Sequence, residues 1–278
     1  MDTAKRVSLE KKATKVRMGI IEGVHSAKSG HPGGSLSIAD ILTYLYFDKM
    51  NIDPKNPKME GRDRFVLSKG HAAPALYSVL ANRGYFSVDE IKGLRHTGAL
   101  LQGHPDMKHI PGVDMSTGSL GQGISAAAGI ALSAKSFNET YKVYCACGDG
   151  ECEEGQVWEA AMFAAHKKLN NLIVFIDLNH LQIDGTIEEV NSPMPIDQKF
   201  KAFNWNVILI NGHNFDEIEK AVEEANKSTT KPTAIIAETV KGKGVSFMEN
   251  QVGWHGSAPN DEQFDIAMKE LEDKLASL

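Results

Sequence analysis

Five short runs rich in β-branched and aliphatic residues, at 64–67, 142–147, 172–178, 206–210 and 233–239, alternate with stretches of helical period. This alternation constrains the chain more than any other feature. Runs such as LIVFIDL lack polar alternate positions, which suits strands covered on both faces, as in a parallel sheet. Parallel neighbours need crossovers between them. The segments at about 37–48, 73–83, 123–136, 155–169 and 215–227 can supply helices, with a last amphipathic helix at about 261–275. The predicted fold class is therefore α/β, a doubly wound and mostly parallel sheet with helices on both faces. The first helix carries a capping pattern, Ser37 followed by Asp40. No repeat and no Pro/Gly/Ser linker divides the chain, so a single domain over 1–278 is expected.

Composition narrows the class by exclusion. With 42% hydrophobic, 24% charged and 7% aromatic residues, the chain is neither disordered nor fibrous. Thirty basic against 36 acidic residues give −6 with His neutral, so neither nucleic acid nor an anionic membrane is an expected partner. The N-terminal segment MDTAKRVSLEKKATKVRMG is charged and then amphipathic, without the apolar core of a secretory signal, and no long apolar run follows, so a cytoplasmic chain is expected. Cys145, Cys147 and Cys152 fall within eight residues. Their odd number speaks against a disulfide framework, and a CxC without a second pair fits a buried strand better than a zinc site.

In such sheets the loops at the carboxyl ends of the strands make the ligand site. Nearly all the unusual sequence lies there: SGHPGG (29–34), SKGHA (68–72), GHPD (103–106), STGSLGQG (116–123), GDGECEEG (148–155), DLNHLQIDG (177–185), KGKG (241–244) and GWHGSAP (253–259). His31, His71, His104 and His255 each stand beside Gly or Pro in one of these loops. The strongest signal is Gly148-Asp149-Gly150 closing one strand and Asn179, thirty residues after Asp149, closing the next. A right-handed crossover brings Asp149 and Asn179 to neighbouring strand ends. Oxygen donors of this kind suit Mg²⁺ or Ca²⁺ completed by phosphate oxygens and water, with the Leu181 carbonyl as a third protein ligand. Gly150 permits close approach of a phosphate, and a helix starting near Glu154 is expected to aim its free N–H groups at the same point. A metal-bridged diphosphate is the natural occupant.

Other features read more plainly. The glycines of STGSLGQG run in the wrong order for a dinucleotide fingerprint, and no acidic residue ends a strand at the required distance, so NAD is rejected. The KGKG segment reads as a solvated turn, and the WEAAMFAAH stripe as core or subunit interface.

The order of these motifs, with DRFVLSKGHA, from about residue 17 to residue 260, resembles the N-terminal domain of the transketolase family of thiamine diphosphate enzymes. The resemblance implies that Asp149, Asn179 and the Leu181 carbonyl hold the divalent metal, Mg²⁺ with Ca²⁺ or Mn²⁺ also suited. It implies that His71, Gly150 and His255 contact the diphosphate, that Gly118 and Leu120 lie against the cofactor's rings, and that Ser119, Gly148 and Glu151 complete the cofactor contacts. His31 and His255 would stand near the reactive carbon, with His71 and His104 in the same catalytic set and His104 on the donor sugar's terminal hydroxyl. Glu154 and Glu159 match carboxylates at the family's subunit interface. Imidazoles titrating near neutrality suit the proton transfers and oxyanions of carbon–carbon cleavage and two-carbon ketol transfer.

A full transketolase continues into a pyrimidine-binding and a C-terminal domain, which are here expected on a separate chain. The implied reading is a diphosphate-binding subunit that assembles with a second, C-terminal transketolase chain as a heterotetramer, two of each, acting on sugar phosphates. Three alternatives stand beside it: the alpha chain of a 2-oxo acid dehydrogenase, a transketolase for a modified sugar such as a sulfonated one, and a non-catalytic cofactor-binding module. The four glycine-flanked histidine loops favour ketol transfer.

Overall fold

The computed structural model describes residues 1–278. A five-stranded sheet lies at its centre in the order β1-β2-β3-β5-β4, formed by β1 (Arg64–Leu67), β2 (Val143–Gly148), β3 (Leu172–Leu178), β4 (Asn206–Asn211) and β5 (Thr233–Glu238). Every pairing is parallel, and the register sets Gly148 of β2 opposite Asp177 of β3, and Leu178 of β3 opposite Glu238 of β5. β2 and β3 are buried along their whole length, as their unbroken apolar runs require. β4 forms an edge, which explains why its Leu209 is exposed.

Successive side chains point to opposite faces, so each strand divides its residues between two cores. Phe65, Tyr144, Phe175 and Ile235 join the larger core with α1 (Thr3–Ala27), α2 (Pro32–Tyr44), α3 (Ala73–Arg83), α8 (Phe215–Asn226) and α9 (Asp261–Ser277). Val66, Cys145, Val174 and Ile236 join the smaller core with α4 (Gln122–Ser136), α5 (Gly155–His166) and α7 (Ile196–Ala202). A single turn, α6 (Ile187–Val190), precedes α7 and carries a complete Thr186–Glu189 capping box. Cys145, Cys147 and Cys152 are free and buried. No helix is long and apolar enough to cross a membrane.

The expected strands agree with the observed ones to within one residue at each end, and the helices mostly to within three. Two departures bear on the site. First, α1 is a 25-residue helix where the sequence suggested only an amphipathic segment; Leu9, Ala13, Val16, Ile20 and Val24 trace its buried apolar stripe, but the equally buried Thr14, Arg17, Gly19 and Gly23 beside them blur it in the sequence. Second, α2 begins at Pro32 rather than at residue 37. Proline at the first helical position presets φ and lacks an N–H that would go unsatisfied there anyway. Ser37 therefore caps nothing: it is buried in mid-helix, its hydroxyl donating to Asp177 at 2.5 Å with the Gly34 carbonyl 3.1 Å away. Asp40 pairs instead with Arg17 and His213.

Candidate active site

At the carboxyl ends of β1, β2 and β3 the loops enclose a cavity of about 300 Å³. Eleven residues expected at the site line it: His31, His71, Gly118, Leu120, Gly148, Asp149, Gly150, Glu151, Asn179, Leu181 and His255. The parallel register of β2 with β3 brings Asp149 beside Asn179, as the crossover argument required. Asp149 Oδ2 accepts from the backbone N–H of Asn179 at 2.9 Å and of His180 at 2.6 Å, while Oδ1 accepts from Gly150 N–H at 2.8 Å. Burial, aided by the charge of Asp177, pushes the Asp149 carboxyl up to about 6.

Three of the four histidines converge. The ring centroids of His31, His71 and His255 form a triangle with sides of 5.2, 5.2 and 5.5 Å. Burial lowers all three, with nearby cations adding to it: His31 to about 4, His255 to about 3, and His71 well below its ordinary value. All three rings are thus neutral at neutral pH. His31 Nδ1 is buried without a hydrogen-bond partner, an orphan of the kind a bound group satisfies.

The fourth, His104, stands on the exposed rim, its ring against Gly118. Ser119 is exposed nearby, and neither residue lines the cavity. Glu154 and Glu159 also lie outside it, exposed on α5 and its N-terminal flank. Glu151 lines the wall, but its carboxylate ties loops together, accepting from Ser68 Oγ at 2.5 Å, Gly121 N–H at 2.9 Å and Gly148 N–H at 3.0 Å.

Two expectations need correction. The first turn of α5 does not line the cavity; a 3₁₀ turn at Gly150–Glu153 intervenes, and Gly150 and Glu151 of that turn are what the cavity meets. KGKG is no solvated turn either. Lys241 is 1% exposed, and its ammonium donates to the Leu181 carbonyl at 2.8 Å and meets His255 Nδ1 at 2.8 Å. Burial lowers this lysine to about 8, so it stays mostly charged near neutrality.

Sequence reasoning also missed Lys69, whose buried ammonium donates to the Gly34 carbonyl at 2.7 Å and pairs with Asp177. Asp177 in turn accepts from Thr239 Oγ1 at 2.5 Å and Asn179 Nδ2 at 3.3 Å, so one buried carboxylate orients both a cavity cation and Asn179. The signal was present: Asp177 is the one charged residue in the apolar run of β3, and such a group must be paired.

The family described as "Transketolase, thiamine diphosphate binding domain" matches residues 9–273. The chain belongs to the transketolase family. The 6-deoxy-6-sulfo-D-fructose transketolase subunit of Clostridium sp. (strain MSTE9) is 46% identical over 267 residues, covering 96% of this chain and 97% of that one. An apulose-4-phosphate transketolase subunit of Phocaeicola vulgatus is 42% identical, covering 98% of this chain and 96% of its own. Among solved structures, the transketolase of Campylobacter jejuni superposes with a TM-score of 0.90 at 35% identity, covering 98% of this chain and 43% of that one. This transketolase-family chain thus spans less than half of a solved transketolase but nearly the whole of two subunit relatives.

Proposed function

We propose that this chain is the diphosphate-binding subunit of a two-chain transketolase, holding thiamine diphosphate with a divalent cation and transferring a two-carbon ketol unit from a ketose to an aldose once a C-terminal partner subunit is bound. The observation that carries this reading is the triangle of His31, His71 and His255 set beside the Asp149, Asn179 and Leu181 oxygens in one cavity. The donor set fits the cation. One carboxylate, one amide and one backbone carbonyl are hard oxygen ligands suited to Mg²⁺, and also to Ca²⁺ or Mn²⁺. The Leu181 carbonyl already holds a cation, the Lys241 ammonium. No group of three His, Cys, Asp or Glu side chains is arranged to hold a metal, so the shell would be completed by diphosphate oxygens and water.

When bound, the cofactor supplies a nucleophilic carbon able to add to a ketose carbonyl and stabilise the two-carbon fragment. The chain's own residues do the rest. Lys69 and Lys241 offset the diphosphate's charge in a buried setting, where each interaction is strong. His71 and His255 face the diphosphate. Neutral His31 and His255 can each steady a developing alkoxide with a ring N–H, and the rim position of His104 supports its reading as a partner of a substrate hydroxyl. Glu154 and Glu159, both exposed, would meet the partner.

The names of the two subunit relatives support a modified or acidic ketose as donor, alongside the ordinary sugar phosphates. The deciding experiment is to recover the chain with its companion from its own cells and assay ketol transfer from D-fructose 6-phosphate and from 6-deoxy-6-sulfo-D-fructose. Activity in the pair and in neither chain alone is expected; transfer of acyl groups to a lipoyl acceptor would point to the dehydrogenase reading instead. Asp149→Ala should abolish Mg²⁺-dependent cofactor binding. His104→Ala should weaken donor use while leaving cofactor affinity within about twofold.

A further inference from the structure

A second cavity, of about 630 Å³, lies at the amino end of β1, the strand whose other end leads into Lys69 and His71. Lys55, Lys58, Arg62, Arg64 and Lys108 line it, and Asp114 is its only carboxylate. That carboxylate is already engaged, paired with Arg62 and accepting from Phe65 N–H at 2.8 Å. His109, also in the wall, is paired with Asp106 at 2.6 Å. Lys55, Lys58, Arg64 and Lys108 have no ion-pair partner, although the chain as a whole is −6. Arg64 is the least comfortable of these groups. Half-buried, it donates only to the carbonyls of Arg62 and Asp63 and lies 4.8 Å over the Tyr141 ring. Burial and the neighbouring Arg62 lower its pKa. Arg62 Nε is buried without a partner as well.

We propose that this cavity binds a small phosphorylated metabolite, its phosphoryl oxygens held by Lys55, Lys58, Arg64 and Lys108 and its body resting on Pro57 and Met107. Guanidinium and ammonium groups lining one cavity, with its single carboxylate already engaged, are the usual means of holding such anions. The wall from Met107 to Asp114 is the segment that joins His104 to the Thr117–Gly118 loop, and Met107 N–H donates to Ser116 Oγ at 3.0 Å. An anion bound here therefore pins a loop whose two ends, His104 and Gly118, touch at the rim of the active cavity, and makes the site regulatory in kind.

The test is calorimetric titration of the full chain with inorganic pyrophosphate at low salt and without divalent cations. Because the active cavity is also cationic, it is run on the wild type, on Lys241→Ala, and on Lys55→Glu/Lys58→Glu/Lys108→Glu, which alters exposed lysines only. We expect one binding component to survive Lys241→Ala and to weaken at least tenfold in the triple variant. Equal titrations for wild type and triple variant would overturn the proposal, as would loss of all binding in Lys241→Ala. A second measurement needs no variant: pyrophosphate should slow acylation of Lys55, Lys58 and Lys108 several-fold, read by mass spectrometry, but leave the exposed Lys11 and Lys15 unchanged. Uniform rates at all five lysines would refute the site. Neither measurement involves turnover, so the outcome is independent of the reaction proposed above.

Discussion

Asp40 accepts from both terminal Arg17 guanidinium nitrogens, at 2.9 and 2.7 Å, and from His213 Nδ1 at 2.7 Å, while His213 Nε2 accepts from Val240 N–H at 2.8 Å. The chain thus fixes the residue before Lys241 through a buried ion pair. Burial opposes the Asp40 charge, but Arg17 and His213 overcome it and hold the carboxyl well below its ordinary value. A carboxyl depressed in this way stabilises the fold above its unfolded pKa, near 4, and that contribution is lost as pH falls through the folded value. Asp40→Asn should therefore destabilise the chain by about 3–5 kcal/mol at pH 7, the usual penalty for breaking a buried pair. The gap should narrow below about pH 4, as urea unfolding at pH 7 and pH 3.5 will show; an undiminished gap would mean that Asp40 acts through packing rather than charge. Lys241→Met tests the other end of this chain of contacts. It should leave the fold intact but weaken thiamine diphosphate binding at least tenfold, because the side chain is near the same size while the cation is gone. Neither residue's role was legible in the sequence, and for the same reason. Local composition marks KGKG as a turn and Asp40 as a capping residue, and only the tertiary approach of α1, α2 and the segment after β5 buries them together.

At the scale of elements, legibility followed burial pattern. The strands were plain because each is an apolar run closed by turn residues, and the Asp149–Asn179 pairing followed from the crossover rule alone. The loops were legible as a set, but not in how closely they approach one another. Gly70, in the SKGHA loop, is the clearest case: a Cβ there would stand 2.6 Å from Gly118 N and 2.8 Å from Thr117 C. Backbone atoms cannot swing aside as a side-chain tip can, so Gly70→Ala must force apart the loops carrying His71 and Gly118. Overpacking of this kind costs about 1–3 kcal/mol. Cofactor affinity should fall with it, by at least tenfold in a fluorescence titration. Gly155→Ala is the contrasting change, since a Cβ at that position meets nothing within 4 Å. It should leave melting temperature and cofactor binding nearly unchanged, and equal damage from the two variants would show that loop spacing is not what Gly70 protects.

The molecule as a whole presents an asymmetry that its sequence only hinted at. One face of the sheet is covered by α1, α2, α3, α8 and α9, whereas the other carries α4, α5 and α7, and on that side α5 leaves Met162 58% and Phe163 39% exposed. Leu120, at 36%, and Ile183, at 61%, line the active cavity and reach solvent as well. The WEAAMFAAH stripe thus divides its residues: Ala160, Ala161 and Ala164 face the core, while Met162 and Phe163 face outward. Periodicity identified the stripe but could not say which half of it faces the core, because both halves are apolar. Exposed apolar residues at the cavity, Leu120 and Ile183, and on α5, Met162 and Phe163, together with the exposed Glu154 and Glu159, are the kind of surface on which the proposed partner subunit would close the active site. Phe163→Asp puts this placement to the test. On the isolated chain it should shift stability by no more than about 0.5 kcal/mol, as exposed substitutions do. In the pair it should weaken association by about 2 kcal/mol or more, the scale of a buried aromatic anchor, and ketol transfer should recover only when the partner is added in excess. Association and activity unchanged from the wild type would place the partner elsewhere on the molecule, whatever the cofactor chemistry proves to be.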